Sequence, residues 1–500
     1  MLALSAETRR ADLERMAETE LDLLVVGGGI TGAGIALDAA SRGLAVGLVE
    51  GNDFASGTSG RSSRMVHGGV RYLEHYDFGL VHEALRERIV ILRLAPHLVR
   101  PITMYAPTTS FRQRALFRLG LLVYDTLAVG RNLGRHRGVD AAEMHRVAPG
   151  LGHPTPGVRY WECRTDDARL TLEAVREAKR HGALVANHAE VVSLVGQGRV
   201  DGALVLDHLT GERLDVRARI TVNATGVWAD AVHGMAADVT PMLRPSKGVH
   251  LVFRPGAVDT RTALFVPSGA DDRRFVFVIP WGDRVYAGTT DTEHRGGLDD
   301  PPVTDADLDY VLQAVAAAFP GVTRDDVAAS WAGLRPLLGG ASGSTADLSR
   351  KHRIFEDPPG LLTITGGKLT TYRAMAEELV DRVARDLGAG GRCRTRELPL
   401  GLTRPLGKAL DRAVVEGETA GLTPAAARRL VTRFGDDWEE AIRLIREEPS
   451  LGEPAVPGLP VLGVELHLAR TREMALTDDD VLVRRTRLST MDATVRLPAL

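Results

Sequence analysis

Residues 21–50, LDLLVVGGGITGAGIALDAASRGLAVGLVE, decide the fold of this chain. The apolar run Leu21–Val26 predicts a short, buried, parallel strand. A glycine-rich turn leads into a helix over roughly Ile30–Arg42, and Leu44–Val49 predicts a second strand that ends at Glu50. Strand, glycine turn, helix, second strand and acid follow one another as in a dinucleotide-binding βαβ unit. We therefore predict an α/β protein that binds a dinucleotide.

The three glycines of the turn have separate physical tasks. Gly27 permits the tight turn, Gly29 lets the backbone approach a pyrophosphate, and Gly32 lets the helix pack closely on the strand. The pyrophosphate would lie at the helix N-terminus, where free N–H groups and the helix dipole favour negative charge. Glu50 is placed to accept hydrogen bonds from ribose hydroxyls and would repel a 2′-phosphate, which argues against NADP.

Size and composition are those of an ordinary globular protein. Its 500 residues predict about two to four domains, and a net charge of −3 gives no reason to expect nucleic acid as a partner. Two cysteines, Cys163 and Cys393, are too few for a disulfide framework or a thiolate metal site, so we expect free thiols, a reducing cytoplasm and no metal. The charged N-terminus and the lack of an eighteen-residue apolar run predict neither a signal peptide nor a membrane span.

The segment after the βαβ unit, Asp53–Tyr76, reads DFASGTSGRSSRMVHGGVRYLEHY. Its first half is rich in glycine and hydroxyl side chains, which can satisfy phosphate and cofactor oxygens without bulk. Its second half presents an imidazole, a fixed cation and a phenol at His67, Arg71 and Tyr72. Beside a dinucleotide site, such a segment predicts a redox site for an anionic substrate.

The rest of the chain favours FAD over NAD. An NAD enzyme usually continues with alternating β and α units, whereas here an amphipathic helix follows, about Phe78–Leu94, and Pro96 ends it. Two distant segments look like returns to the same sheet. Arg219–Asp230 predicts a strand that runs into a small-residue turn, and Leu361–Asp381 predicts a strand, a glycine turn and a helix. A dinucleotide fold assembled from three separated pieces resembles the large FAD oxidoreductases.

Several segments, in order along the chain, resemble the FAD-dependent glycerol-3-phosphate dehydrogenases. They are GGGITGAGIALDAASRGL (27–44), the whole of residues 53–76, TDDARL (165–170), VNATGVW (222–228), RFVFVIPW (274–281), AGTTDTE (287–293), AGLRPLL (332–338), GGKLTTYR (366–373) and DDDVLVRRTRL (478–488). The resemblance covers nearly the full length of the chain. One departure is Arg64, where many relatives have Lys, a change that keeps the charge but alters the hydrogen-bond geometry.

The resemblance implies a reaction. In this family FAD oxidises sn-glycerol 3-phosphate at C2 to dihydroxyacetone phosphate: a base takes the hydroxyl proton, hydride goes to flavin N5, and a quinone receives the electrons. We therefore expect a flavoprotein of glycerol metabolism. The alternatives left open are an oxidase that reduces oxygen, an FAD-dependent amine or 2-hydroxy-acid oxidoreductase, and a redox-inactive FAD-binding protein.

The resemblance also implies which residues form the site. The catalytic candidates are His67, Arg71, Tyr72, Arg335 and Lys368. The substrate-binding candidates are Arg71, Lys247, His250, Arg335 and Arg350. The cofactor-binding candidates are Gly27, Gly29, Ile30, Thr31, Gly32, Glu50, Thr58, Ser59, Ser62, Ser63, His67, Gly68, Gly69, Ala224, Thr225, Gly226, Gly367, Lys368, Leu369 and Thr370. We expect His67 to be the base, with His250 as its competitor, because a neutral imidazole can accept a proton near pH 7.

The expected site also contains cations for the substrate phosphate, a cation for the flavin and a phenol. Arg71 and Arg335 are the first candidates for the phosphate, followed by Arg350 and Lys247, because guanidinium groups fit phosphate oxygens in pairs. Lys368, at a strand-to-helix turn, is expected to stabilise negative charge at flavin N1 and the C2 carbonyl. Tyr72 either orients the substrate hydroxyl or packs in the core.

The segments predict three domains. A discontinuous FAD-binding Rossmann-like domain is expected over 20–96, 161–239 and 346–388, an α+β substrate-binding cap over 97–160 and 240–345, and a C-terminal helical domain over 389–500. In the cap, Arg274–Pro280 and Arg284–Gly288 predict a hairpin. In the helical domain, Pro405–Glu448 and Val464–Arg487 predict helices on either side of a Gly/Pro break.

One segment bears on membranes. Arg112–Val129, RQRALFRLGLLVYDTLAV, places basic residues ahead of a mostly apolar stretch, which fits either a helix in a membrane interface or an ordinary buried helix. The family resemblance favours a peripheral protein on the cytoplasmic face of the membrane, close to a quinone. It also leads us to expect a homodimer.

Overall fold

The structure, a computed structural model, describes residues 3–70, 73, 77–153, 155–236, 241–269, 274–339 and 351–497. Within these ranges the α-helices are α1 Ala6–Glu18, α2 Ile30–Ser41, α3 Phe78–Leu94, α4 Phe111–Leu127, α5 Ala141–Val147, α6 Asp167–Arg180, α7 Ala229–His233, α8 Asp305–Ala318, α9 Tyr372–Leu387, α10 Leu406–Glu418, α11 Pro424–Phe434, α12 Trp438–Glu447, α13 Gly463–Arg472 and α14 Leu488–Met491.

The strands within the same ranges are β1 Leu21–Val26, β2 Val46–Val49, β3 Met65–Val66, β4 Arg100–Pro107, β5 Arg137–Val139, β6 Gly157–Arg164, β7 Leu184–Ala186, β8 Ala189–Val195, β9 Gly202–Asp207, β10 Arg213–Asn223, β11 Ser246–Phe253, β12 Ala263–Pro267, β13 Phe275–Trp281, β14 Arg284–Gly288, β15 Thr292–Glu293, β16 Val327–Arg335, β17 Arg353–Glu356 and β18 Leu361–Thr365.

The first sheet is the predicted dinucleotide-binding sheet. Its strands lie in the order β17-β18-β10-β1-β2-β7, and all neighbours from β18 to β7 are parallel. β1 has the predicted bounds, α2 follows at Ile30, and β2 begins at Val46, slightly later than predicted. β10 and β18 are the two predicted returns. Because β2 and β10 flank β1 on opposite sides, the switch in strand order lies at β1, where open α/β sheets bind ligands.

Both faces of β1 are buried, which explains its continuous apolar sequence. Leu23 and Val25 pack with α2, α6 and α9 in one core, whereas Leu24 and Val26 belong to a second core that contains Leu13 of α1. Strand alternation sends neighbouring side chains to opposite faces. The sheet is therefore fixed from two sides, and the turn that follows β1 begins from a rigid position.

The second sheet is formed mainly by strands from both predicted inserts, and β3, from the segment predicted for the FAD-binding domain, lies at its edge. Its order is β15-β11-β14-β13-β12-β4-β6-β3, with β16 paired to β11 and β5 paired to β6. The predicted hairpin is confirmed, because β13 and β14 pair antiparallel from Phe277↔Gly288 to Trp281↔Arg284. β6 runs from Gly157 to Arg164, across the expected domain boundary at 160. The division of the chain into three domains stays a prediction.

A cluster of helices follows α9. α10 to α13 bury their own core, which includes Leu430, Phe434, Trp438 and Ile442. The stretch Val464–Arg487, predicted to be helical, is helical only in part. α13 ends at Arg472, Met474 takes a left-handed φ of +53°, and a π-helical segment, Asp480–Arg485, precedes α14. This segment lies against the first sheet's domain.

Helix α4 occupies the predicted membrane-interface segment. It starts after Ser110, whose Oγ accepts a hydrogen bond from the N–H of Gln113 at 3.2 Å. Across the part of the chain that the structure describes, no helix has the length and apolar character that crossing a bilayer requires.

Candidate active site

A cavity of about 600 Å³ lies at the carboxyl edge of the first sheet. The turns after β1, β2, β10 and β18 form one side of it, and β11 and the end of β16 form the other. Residues 56–59 and 61–63, which follow the βαβ unit, also line it. One cavity thus joins the predicted dinucleotide turn to the predicted substrate residues.

The glycine turn forms one end of the cavity. Gly27 has a φ of +110°, and a Cβ there would lie 2.8 Å from the carbonyl oxygen of Ala224. A Cβ on Gly29 would lie 3.1 Å from Oγ of Ser59, so a side chain at this position would fill part of the cavity. The N–H of Ile30 donates to Ser59 Oγ at 2.9 Å. This uncrowded N-terminus of α2 fits the pyrophosphate of a dinucleotide.

Glu50 fixes a carboxylate at the same end. Its Oε2 accepts from the N–H of Gly28 at 2.6 Å, and its Oε1 accepts from the N–H of Asn52 at 2.9 Å. Burial raises the pKa of Glu50, and these two N–H groups oppose that shift. The carboxylate is therefore oriented by backbone at the position expected for ribose recognition.

Thr370 joins the segment of His67 to the turn after β18. Its Oγ1 accepts from the N–H of His67 at 3.1 Å and donates to the carbonyl oxygen of His67 at 3.2 Å. Gly367 has a φ of +81°, and Lys368 follows it immediately before the 3-10 turn that leads into α9. All four residues line the cavity.

His250 is a buried imidazole in the wall formed by β11. Its ring stacks on Trp331, with 4.7 Å between centroids and 9° between planes. Its Nε2 lies 2.9 Å from Oγ of Ser63. Burial, followed by the charges of Arg335 and Arg64, holds the pKa of His250 well below its usual value. The ring is therefore uncharged at neutral pH.

Arg335 is a half-buried cation at the end of β16. Its Nη2 donates to Oγ1 of Thr289 at 2.9 Å and to the carbonyl oxygen of Thr290 at 3.1 Å, and its Nη1 donates to Oγ of Ser246 at 3.3 Å. A Cβ on Gly248 would lie 2.4 Å from Nη2, so glycine at this position leaves room for the guanidinium. These contacts hold the cation in one orientation on the cavity wall.

Arg64, the departure noted in the sequence, lies behind His250. Its guanidinium carbon is 4.0 Å from the ring centroid of Trp281 and 4.7 Å from that of Trp331. Burial and the nearby charge of Arg487 lower the pKa of Arg64 to about 10. A planar guanidinium can stack on two indole rings in a way that an ammonium group does not, which suits arginine to this position.

Most of the predicted residues meet at the cavity. Those that line it are Gly27, Gly29, Ile30, Thr31, Glu50, Thr58, Ser59, Ser62, Ser63, His67, Ala224, Thr225, Gly226, His250, Arg335, Gly367, Lys368, Leu369 and Thr370. Arg71, Tyr72 and Arg350 lie outside the described residues.

Three predicted glycines do not line the cavity. A Cβ on Gly32 would lie 1.9 Å from the carbonyl oxygen of Gly27, so Gly32 permits close packing of α2, as its place in the motif suggests. The N–H of Gly68 donates to the hydroxyl of Tyr124 at 3.0 Å, and Gly69 has a φ of +79°. The backbone of this segment is therefore shaped by protein contacts.

Lys247 lies away from the cavity, contrary to the expectation that it binds substrate. Its Nζ donates to Oδ2 of Asp307 at 2.5 Å. Neighbouring residues of a strand point to opposite faces. Gly248 and His250 face the cavity, so Lys247 points to the other side of β11.

The residues that hold the candidates in place were not among those predicted from the sequence. For Gly248 a signal existed, because Ser246, Gly248 and His250 alternate along one strand and so share a face. Trp331 carried no such signal. It stacks on His250 because β11 and β16 pair with these two residues opposite each other, and that register joins segments 81 positions apart.

Two protein-family profiles together match residues 22–500 of the chain. A family profile described as FAD dependent oxidoreductase matches residues 22–382. A second profile, described as the C-terminal domain of alpha-glycerophosphate oxidase, matches residues 362–500.

The chain is similar to curated relatives over nearly its full length. The chain is 38% identical over 495 residues to glycerol-3-phosphate dehydrogenase 2 of Mycobacterium tuberculosis, which covers 97% of this chain and 84% of that protein. It is 38% identical over 499 residues to the aerobic glycerol-3-phosphate dehydrogenase of Bacillus subtilis, with 95% and 88% covered. The alpha-glycerophosphate oxidase of Streptococcus pyogenes serotype M1 is 34% identical over 560 residues, with 96% and 90% covered.

Solved structures confirm the fold. The glycerol-3-phosphate dehydrogenase from Bacillus halodurans, complexed with FAD, matches with a TM-score of 0.81 and 35% identity over 98% of this chain and 90% of that chain. The L-alpha-glycerophosphate oxidase from Mycoplasma pneumoniae, with FAD bound, matches with a TM-score of 0.58 at 19% identity over 73% of this chain and 95% of that chain, which shows a shared fold. The predicted FAD cofactor is confirmed by the family matches. The chain therefore belongs to the family of FAD-dependent glycerol-3-phosphate dehydrogenases, which also contains the alpha-glycerophosphate oxidases.

Proposed function

We propose that the protein oxidises sn-glycerol 3-phosphate at C2 to dihydroxyacetone phosphate with FAD and passes the electrons to a quinone. The observation that supports this most is the convergence of His67, His250 and Arg335 on the cavity that contains the glycine turn. A dinucleotide end, an imidazole for the hydroxyl proton and a fixed cation for phosphate are the parts that this oxidation needs. The names of the relatives point to the same substrate.

We assign the parts of FAD to successive groups of residues along the cavity. Bound FAD supplies the acceptor for the hydride of C2. We assign its pyrophosphate to the N-terminus of α2 and its ribose hydroxyls to Glu50. Lys368, at the start of the turn into α9, is our candidate for the N1–C2 edge, where a cation favours negative charge.

Arg335 is the proposed phosphate ligand. A guanidinium presents paired N–H groups that match two phosphate oxygens. Ser246, Thr289 and Thr290 orient the group, so little side-chain freedom remains to be lost when substrate arrives. Arg71 remains a proposed second cation and Tyr72 a proposed contact to the substrate hydroxyl, and Arg350 remains a proposed further phosphate ligand.

His67 is the proposed base, and His250 is the proposed orienting residue. Protonation of His250 would place a third positive charge beside Arg335 and Arg64 in a buried wall, which burial and both guanidinium groups oppose. His67 lines the same cavity, and its backbone is fixed by Thr370. We therefore assign the proton of the C2 hydroxyl to the imidazole of His67.

The exposed side chains of helix α4 favour a membrane surface as the place where the protein passes its electrons to an acceptor. Four of its apolar side chains are between 56% and 76% exposed, namely Phe111, Leu116, Leu119 and Leu122. The same helix carries Arg112, Arg114 and Arg118. Exposed apolar side chains beside arginines are typical of helices that lie in a membrane interface. We propose a cytoplasmic homodimer, peripheral on the cytoplasmic face of the membrane, that reduces a membrane quinone.

Steady-state turnover over a substrate panel tests the proposed function. With sn-glycerol 3-phosphate, glycerol, L-lactate and glycine as substrates and a soluble quinone analogue as acceptor, we expect turnover with glycerol 3-phosphate alone. Turnover with lactate or glycine and none with glycerol 3-phosphate would overturn the substrate assignment. The relatives also include oxidases. Release of one hydrogen peroxide per turnover in air, without quinone, would replace the quinone by oxygen as the acceptor.

A further inference from the structure

The segment Asp53–Arg64, here called the cofactor loop, forms much of the cavity wall. Residues 56–59 and 61–63 line the cavity. Its backbone is not in a relaxed state, because Ala55 and Arg64 take left-handed φ values of +63° and +55°. Such a conformation persists where neighbouring groups hold it. Part of that support comes from residues 480–491, which comprise the π-helical segment and α14 and are here called the C-terminal helical segment.

Two arginines of the π-helical segment hold the start of the cofactor loop. Arg484 donates from Nε to Oδ2 of Asp53 at 2.6 Å. Arg485 donates from Nη1 and Nη2 to the two oxygens of the same carboxylate at 2.6 and 2.8 Å. Asp53 is fully buried, so these two guanidinium groups, together with the amide of Asn187 that donates to Oδ1 at 2.8 Å, replace its solvation by water.

A third arginine holds the other end of the loop. Arg487 donates from Nη1 to the carbonyl oxygen of Gly60 at 2.9 Å, and its Nη2 forms an ion pair with Oδ1 of Asp167. Oδ2 of Asp167 accepts from the N–H and the hydroxyl of Ser62 at 3.0 and 2.6 Å. Arg487 therefore reaches the loop directly at Gly60 and through Asp167 at Ser62.

Arg487 is a buried member of the group of charges that includes Asp166 and Asp167. The side chain of Arg487 is 3% exposed, and that of Asp167 is fully buried. The backbone of Arg487 takes a left-handed φ of +65°. Burial alone would raise the pKa of Asp166, but the guanidinium groups of Arg487, Arg433 and Arg64 hold it well below its usual value. Removing one charge from such a cluster leaves its partners buried and uncompensated.

The far side of the cofactor loop contacts the second sheet. Ser63 Oγ lies 2.9 Å from His250 Nε2, and the hydroxyl of Tyr286 donates to the carbonyl oxygen of Ser63 at 3.1 Å. Trp331 Nε1 donates to the carbonyl oxygen of Ser62 at 3.3 Å. A shift of the loop at Ser62 would therefore move the hydrogen-bond partner of His250.

We propose that Arg487 is a positioning residue for the reaction, and that the C-terminal helical segment, through Arg484, Arg485 and Arg487, holds the cofactor loop in its FAD-binding conformation. The inference about turnover rests on the proposed function. The inference about the loop and FAD affinity does not, because both can be measured without substrate.

The test compares Arg487→Ala, Asp167→Asn and the double variant with the wild-type protein. The matched control is Asp437→Asn, which removes a partly buried ion pair with Arg176 across the same interface but does not contact the loop. Three quantities are measured on the full chain: amide exchange of peptides within residues 53–64 in FAD-free protein, the FAD dissociation constant, and kcat and KM with sn-glycerol 3-phosphate.

For Arg487→Ala we expect at least tenfold faster exchange in the loop, an FAD dissociation constant at least tenfold higher, and a kcat at least tenfold lower at saturating FAD. Asp437→Asn should change each value by less than threefold. The double variant should cost little more than the worse single variant, because either single variant already breaks the ion pair between Arg487 and Asp167.

Equal effects of Arg487→Ala and Asp437→Asn on exchange and FAD affinity would overturn the proposal, as would fully additive effects in the double variant. Should Arg487→Ala not fold, Asp167→Asn alone decides, because it keeps the side-chain shape; unchanged exchange and FAD affinity would then refute the proposal. Wild-type protein that binds FAD but fails to oxidise glycerol 3-phosphate would contradict the proposed function and leave the loop result standing.

Discussion

Arg335 is oriented by three neighbours before any substrate binds, so removing it should affect binding more than the chemical step. Hydrogen bonds to charged groups contribute roughly 1.5–3 kcal/mol, which corresponds to about a 10- to 150-fold change in affinity. We expect Arg335→Ala to raise KM for sn-glycerol 3-phosphate by that factor and to lower kcat less. Arg254→Ala, at an exposed arginine directly after β11, is the control and should leave both constants unchanged. An unchanged KM in Arg335→Ala would exclude this residue as the phosphate ligand.

The two histidines of the cavity are distinguished by their environments. Because His250 is buried beside two guanidinium groups, it should be a poor proton acceptor. A general base contributes roughly 10²- to 10⁴-fold to rate. We expect His67→Asn to slow anaerobic flavin reduction at least a hundredfold with FAD retained, and His250→Asn to slow it less than tenfold. The reverse order of effects would assign the base to His250.

The chemical types of these residues were predictable from sequence, but their supports were not. His67, His250 and Arg335 stand in segments that carry the family resemblance. The stack of His250 on Trp331 and the space that Gly248 leaves for Arg335 depend on strand register, which couples residues far apart in the chain. Lys247 has a suitable chemical type but the wrong orientation. It lies on the same strand as His250, yet its side chain points to the opposite face and pairs with Asp307.

Among the elements, β1 and α2 were predictable because their signals are local. The apolar run, the glycine spacing and the small residues of α2 all lie within residues 21–41. The break after α13 was not predictable in this way. The segment that follows Met474 is held as a π-helical turn by ion pairs with Asp53, which lies more than 400 positions away in sequence.

Helix α4 is the element whose exposed apolar face calls for an explanation, and a lipid surface is the occupant that we propose. Leu116 and Leu119 are 70% and 60% exposed. We expect Leu116→Ser/Leu119→Ser to reduce co-sedimentation with anionic phospholipid vesicles at least fivefold, with unchanged kcat toward a soluble acceptor. Val415→Ser, at a 66% exposed valine of α10, is the matched control and should bind vesicles like the wild type. Equal binding by all three proteins would remove α4 as the membrane contact.

At the scale of the whole molecule, buried charge joins the helical cluster to the FAD-binding sheet. Arg169 of α6 pairs with Glu473, and Arg176 of the same helix pairs with Asp437. The motif at residues 478–488 was recognisable in the sequence, but its partners were not, because the sequence does not show which carboxylate an arginine pairs with in the fold. The contacts of the C-terminal helices with the FAD-binding sheet therefore follow from the fold and not from local sequence.

We expect His97, which is buried where α3 meets the helical cluster, to make the stability of the fold depend on pH. It lies after α3, and its Nε2 would be 3.3 Å from a Cβ on Gly401. Burial lowers the pKa of His97 to about 4, whereas an unfolded histidine titrates near 6.5. Between these values the unfolded chain binds a proton that the folded chain does not. Stability should therefore be lost as pH falls through this window, by roughly 2 kcal/mol between pH 6.5 and 5 from this group.

We expect the thermal midpoint of wild-type protein to fall further between pH 7.5 and 5 than that of His97→Gln. The exposed His153→Gln variant controls for loss of a histidine as such and should follow the wild type. Parallel pH profiles for His97→Gln and wild type would show that His97 does not carry this dependence.

We propose that one cavity holds FAD and an anionic alcohol together. Anaerobic addition of sn-glycerol 3-phosphate to the FAD-loaded protein tests this most directly, with glycerol as the control that lacks the phosphate. We predict that glycerol 3-phosphate bleaches the visible flavin absorbance and yields one dihydroxyacetone phosphate per flavin, and that glycerol at the same concentration does neither. A flavin that stays oxidised in excess glycerol 3-phosphate would contradict the account.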